Sequence, residues 1–212
     1  MSKPNHKYSK KEEKLNVFTH AFGLIISIIV FPFLILKSMY YDGFWKPFSL
    51  FVFGLSLIIL YAASTFYHSA TKPKLRRRLN IFDHAAIYVL IAGTYTPFTL
   101  ITLEGSAGWI IFSLTWIFAL VGVTLKLFFT GRFDKLSTIM YVLMGWQIVF
   151  AINPLIENLA SQGLFWLFLG GVFYTVGAIL YSIKKIPYNH AIFHVFVLLG
   201  SFSHIISIYF YC

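Results

Sequence analysis

Seven stretches of twenty or more mostly apolar residues follow one another along this 212-residue chain. They run roughly from Val17 to Met39, Phe48 to His68, Phe82 to Leu103, Trp109 to Phe129, Leu136 to Ile156, Leu164 to Ile183 and His190 to Tyr211. A helix needs about 20 apolar residues to cross roughly 30 Å of hydrocarbon at about 1.5 Å per residue. Each stretch meets that length once, so seven crossings fill the chain. Composition agrees, with 58% of residues apolar and only 11% charged, against about one quarter charged in an ordinary soluble domain. Most of these side chains could not face water. Continuous apolar runs exclude a transmembrane barrel, whose strands alternate. A single cysteine, Cys212, excludes a disulfide-built secreted fold.

The expected fold is therefore an all-α membrane protein, a single seven-transmembrane helix bundle over residues 17–212 behind a charged tail over residues 1–16. No small-residue cleavage motif follows the first stretch, which is expected to be a retained helix and not a removable signal. Loops are expected at Asp42-Gly43, the basic run Lys72 to Arg78, Glu104-Gly105-Ser106, Gly131-Arg132, Asn153-Pro154 with Asn158, and Lys184-Lys185 ahead of Pro187. Pro32 and Pro97 fall inside spans, where a missing amide hydrogen tends to kink a helix.

Lysine and arginine collect in cytoplasmic loops. Fifteen fall on the side of the N-terminus: Lys3, Lys7, Lys10, Lys11 and Lys14 in the tail, Lys72, Lys74, Arg76, Arg77 and Arg78 in the second loop, Lys126, Arg132 and Lys135 around the fourth, and Lys184 and Lys185 in the sixth. Only Lys37 and Lys46 fall on the other. The N-terminus is thus expected in the cytoplasm and the C-terminus outside. An anionic leaflet accounts for this basic excess. No nucleic-acid-binding motif accompanies it, so no nucleic-acid partner is expected.

Imidazoles and carboxylates inside a membrane helix are costly, which makes each a functional candidate once a partner can be named. Threading the seven spans brings several to one depth: Asn16 and His20 on the first helix, Ser64 and His68 at the end of the second, Asp83 opening the third, and His190 and His194 at the start of the seventh. His190 and His194 stand at i and i+4, so both rings share a helix face and can grip one cation. A third ring from His68 would complete a three-histidine site, which leaves a tetrahedral zinc one open position for water. Zinc lowers the pKa of such a water to about 7. Asp83 could hold or deprotonate that water, with Ser64 orienting it by hydrogen bonding.

Each residue taken singly has a plainer reading. His190 could be an interfacial histidine, His68 a membrane-edge residue, and Asp83 a helix cap or the partner of Arg78. His204 follows His190 by fourteen residues, about 21 Å along a helix. It cannot share a metal with His190, and a hydrogen bond to a neighbouring helix is expected for it. His84 points away from Asp83, and His6 lies in the tail. Trp45, Trp109 and Trp146 are expected as interfacial anchors, and Gly170, Gly171 and Gly177 as sites of close helix packing.

The same residues spell a pattern: Glu13-x-x-Asn16-x-x-x-His20, then Ser64-x-x-x-His68, then Asp83, then His190-Ala191-Ile192-Phe193-His194. With seven spans and an N-inside orientation, it resembles the hemolysin III family of bacterial membrane proteins, relatives of the progestin and adiponectin Q receptors. The resemblance implies zinc held by His68, His190 and His194, with Asp83 and Ser64 close to a metal-bound water and Asn16 and His20 in support. Ceramidase-like hydrolases in the wider superfamily share this set, which implies hydrolysis of a lipid amide or ester entering sideways from the lipid bilayer. Two other functions fit the class. One is a cytolysin forming pores in host membranes, for which no amphipathic pore-lining stretch stands out. The other is a receptor or transporter of metal or protons, which should place ionisable groups near the membrane midplane, where His204 alone qualifies.

Overall fold

A serine starts the first helix well ahead of its apolar stretch. The Ser9 hydroxyl accepts the Glu12 amide proton at 3.2 Å, so α1 covers Lys10–Ser38 and takes in Glu13, Asn16 and His20. A computed structural model of the protein describes residues 8–103, 105–129 and 134–212. The tail lysines Lys3 and Lys7, His6, Glu104 and the Gly131-Arg132 loop lie outside the described residues. Beyond α1 come α2 (Trp45–Ser69), α3 (Pro73–Pro97), α4 (Gly105–Phe129), α5 (Asp134–Gly145), α6 (Ile152–Asn158), α7 (Ser161–Ser182) and α8 (Asn189–Tyr211). Seven membrane-length apolar spans result, because α5 and α6 share the fifth, and no strand occurs among the described residues.

Two expectations about the third span are corrected. The basic run Lys72–Arg78 is helical from Pro73 onward, since proline suits the first turn of a helix and lysine, arginine and leucine extend it. Asp83 consequently sits inside α3, ten residues after its start, and Lys72 occupies the cap position expected of the aspartate. Pro97 ends the α-helix, and a π-turn over Phe98–Thr102 follows it. Pro32, in contrast, lies within the unbroken α1.

The fifth span breaks where the sequence carries no proline. A short 3-10 stretch, Gln147–Ala151, separates α5 from α6. Tyr95 on α3 bridges the gap: its hydroxyl donates to the Gly145 carbonyl at 2.8 Å and accepts from the Ile148 amide at 2.9 Å. Trp146, expected at an interface, instead lines the interior cavity at this break and donates to Thr175 at 3.0 Å. Trp45 and Trp109 do meet, edge to face, at 4.9 Å.

Helices α1, α2, α3 and α4 pack as sequential neighbours, α7 packs on α8, and α8 returns to α1. α3 carries the most buried span of the seven. Glycines permit the closest approaches: a side chain at Gly170 would collide with the His204 ring, and one at Gly177 would come within 2.7 Å of Phe196. As expected, His204 bonds across helices, to the Leu167 carbonyl at 3.1 Å. This arrangement sets the starts of α1, α3 and α8 beside the ends of α2 and α7.

Candidate metal centre

Position on the helices explains why the three imidazoles meet. His68 lies in the last turn of α2 and His190 and His194 in the first turns of α8. Asn189 locks the α7–α8 turn by donating to the Tyr181 carbonyl at 2.8 Å, and Tyr188 takes a left-handed backbone, φ 55°, to make it. His190 Nε2 is 3.0 Å from His68 Nε2 and 3.1 Å from His194 Nε2. The three rings are buried, and their ligand atoms lie within 4.8 Å of one another, so they could hold one metal ion.

The outer nitrogens test whether a cation suits this cluster. His68 Nδ1 faces a Glu13 carboxylate oxygen at 2.7 Å. His194 Nδ1 is 3.3 Å from the Asn16 backbone carbonyl and 3.3 Å from the Thr19 hydroxyl. Carboxylate and carbonyl oxygens only accept, so both Nδ1 atoms carry the proton, and in the neutral imidazoles both Nε2 atoms present lone pairs inward. His190 can donate to one of those lone pairs at most. A cation satisfies all three. Ligand nitrogens around a tetrahedral zinc with bonds of 2.0–2.1 Å stand about 3.3 Å apart, close to the spacing here. The residues present fit a metal ion.

Around this centre the remaining candidates take distinct places. His20 lies flat on His194, ring centroids 3.5 Å apart and planes within 7°, and meets Tyr61 edge-on at 5.1 Å. Asn16 reaches His68 Nδ1 only at 3.4 Å through its amide, but its carbonyl serves His194. Ser64 is buried one turn before His68, and its hydroxyl has no hydrogen-bond partner among the described residues. Asp83, also buried, lines a cavity shared with His190 and His194.

That cavity, about 150 Å³, is mostly apolar and reaches His204, Phe98 and Trp146. Four further groups stand at or beside it. Lys126, counted from the sequence as a loop charge, is buried in α4 and lines the cavity. His84, set aside for its direction, lines it too. Tyr8 stacks on His190 at 4.6 Å. Burial pushes its phenol far above the usual value, and the neighbouring Tyr181 pushes it further, so Tyr8 stays neutral. Glu13 was visible only as part of a pattern. Its role depends on α1 starting early enough to carry it, and the Ser9-x-x-Glu12 cap was the available signal.

The family model described as "Haemolysin-III related" matches residues 8–205. The chain is 46% identical to the "Hemolysin-3 homolog" of Bacillus subtilis (strain 168) over 97% of its length and 96% of the relative's. It is 45% identical to "Hemolysin-3" of Bacillus cereus, covering 95% and 92% of the two chains. More distantly, it is 28% identical to the human "Monocyte to macrophage differentiation factor" over 94% and 84%. Seven apolar spans and a match that runs from the start of α1 into α8 make this chain a multi-pass membrane protein of the haemolysin-III-related family.

Proposed function

We propose that this protein is a zinc-dependent hydrolase of a membrane lipid amide or ester, working at the cytoplasmic side of the bacterial plasma membrane. The observation that carries this reading is the convergence of three imidazole Nε2 atoms at 3.0 and 3.1 Å beside an apolar cavity that also holds a buried carboxylate. His68, His190 and His194 would hold the ion, which supplies Lewis acidity and a water ionised near neutral pH.

The chain's own residues do the rest. Asp83 accepts a proton from the attacking water and returns it to the departing amine or alcohol, leaving a fatty acid as the second product. Ser64 offers its unpaired hydroxyl to orient the carboxylate or the water. Apolar walls at Phe98 and Leu167 take the lipid chain and exclude bulk water. The N-inside orientation rests on the distribution of lysine and arginine.

The test combines metal analysis of the purified protein with a lipid comparison of cells carrying wild type or His194→Ala. The expected result is one zinc per chain in wild type, with zinc and lipid turnover both lost in a variant that still inserts. Unchanged metal content and turnover in that variant would refute the reading.

A transporter of protons or metal is favoured by a separate observation. Below the histidines, Tyr61 and Tyr174 each bond the Ser201 hydroxyl at 2.8 Å, and His204 lies 5.5 Å from the Tyr174 ring. Such a buried polar line suits ion passage. Zinc or proton uptake into vesicles that persists without lipid turnover would select it.

A further inference from the structure

We infer that Glu13 is the positioning residue of the metal centre, a carboxylate that fixes the His68 ring and strengthens it as a donor, with Arg76 as its anchor. The inference rests on the reading that the three histidines hold a divalent ion.

Three features of the structure converge on it. Glu13, Asn16 and His20 stand at i, i+3 and i+7, one stripe of α1, and that stripe faces the centre, as the Asn16 and His20 contacts with His68 and His194 establish. Glu13 then places one oxygen 2.7 Å from His68 Nδ1, the nitrogen turned away from His190 and His194. Its other oxygen pairs with Arg76, so neither oxygen is free to swing. The pair is shielded, with Glu13 and Arg76 side chains each only 13% exposed and the His68 side chain at 0%.

Arg76 is itself held. It donates to the carbonyls of Tyr67 at 3.3 Å and Ala70 at 3.2 Å, which end α2, and lies over the Tyr67 ring at 4.7 Å. Those carbonyls lie in the last turn and the cap of the helix that carries His68, and a cation belongs at such an end. One guanidinium therefore secures both the backbone of the ligand and the carboxylate that orients its ring. His194 has no equivalent: its Nδ1 faces a neutral carbonyl and a hydroxyl. His68 is thus made more electron-rich by its surroundings than His194. Carboxylate partners of this kind set tautomer and ring direction, and losing one costs about 10–100-fold in metal affinity.

The experiment measures zinc affinity by chelator competition, together with the visible bands of the cobalt(II)-loaded form, for wild type, Glu13→Gln and the adjacent control Glu12→Gln. The expected result for Glu13→Gln is about 10–100-fold weaker zinc binding, shifted cobalt bands, and metal-free protein that still folds with wild-type helix content. Glu12→Gln should match wild type throughout. Should Glu13→Gln fail to fold, Glu13→Asp, whose carboxylate is withdrawn by one methylene, is measured against the same criteria. Wild-type affinity and an unshifted cobalt spectrum in the folded variant would overturn the inference while leaving the metal centre standing. A wild-type protein that binds neither ion would instead remove the centre, and Glu13 with it.

Discussion

Ser201 shows how much a single hydroxyl carries in the lower half of this bundle. It receives Tyr61 from α2 and Tyr174 from α7, both at 2.8 Å, and is itself buried. Removing it takes a hydrogen bond from each of two phenols and leaves Tyr61 only the Val197 carbonyl at 3.5 Å, and a weakened buried polar group is costly. Ser201→Ala is expected to lower unfolding stability in detergent by about 1–2 kcal/mol. Ser203→Ala should cost less, because among the described residues Ser203 bonds only the Leu199 carbonyl of its own helix, at 2.9 Å. Denaturant titration of the two variants side by side gives the difference. Equal losses would mean that the shared hydroxyl adds nothing. The contrast also marks where the sequence was legible. Ser64, His68, Asp83, His190 and His194 stand out because polar groups in apolar helices are conspicuous. Tyr8, Glu13 and Lys126 do not, because each looks like an ordinary residue near a helix end until the fold brings the histidines to the first two and the cavity to the third.

Element by element, existence was plain and continuity was not. Seven apolar runs mark seven spans, but the loop expected at Asn153-Pro154 with Asn158 is helical, and the break in the fifth span lies earlier. Pro154 sits inside α6, whereas the helix gives way at Trp146. The cause is a partner fifty residues away: the Tyr95 hydroxyl satisfies the Gly145 carbonyl and the Ile148 amide that the break sets loose. Tyr95→Phe should therefore strain this junction in particular. Hydrogen exchange at the Ile148 amide is expected to speed up by about tenfold, the equivalent of about 1.4 kcal/mol, with little change at α1 amides. The extension of α3 through Lys72–Arg78 was hidden for another reason. Its charge suggested a loop, but basic residues are good helix formers and can continue a helix past the hydrocarbon into the headgroups.

For the whole molecule, α1 and α8 close the ring and are fastened at opposite ends. At one, His20 lies on His194. At the other, the Lys37 ammonium donates to the carbonyls of Tyr209 at 2.7 Å, Ile208 at 3.1 Å and Cys212 at 3.2 Å, ending α8 with a cation. Seventeen residues of helix separate His20 from Lys37, about 25 Å. Substitutions so far apart should act independently. Lys37→Met is expected to lower stability by about 1–2 kcal/mol and leave zinc affinity unchanged, and its cost should add to that of Ser201→Ala. A thermal unfolding series with zinc titration checks both statements. Any loss of affinity in Lys37→Met would show that the far fastening governs the centre.

The two rings stacked on the histidines have a kinetic meaning as well. His20 covers one flat side of His194, and Tyr8 one flat side of His190. An ion held by those ligands would face the cavity that Asp83, His190 and His194 line together, with the flat sides of two ligand rings covered. Exchange with a scavenger in solution would then be governed by the scavenger's girth, quick for a slim molecule and slow for a bulky one, however tightly each grips the metal.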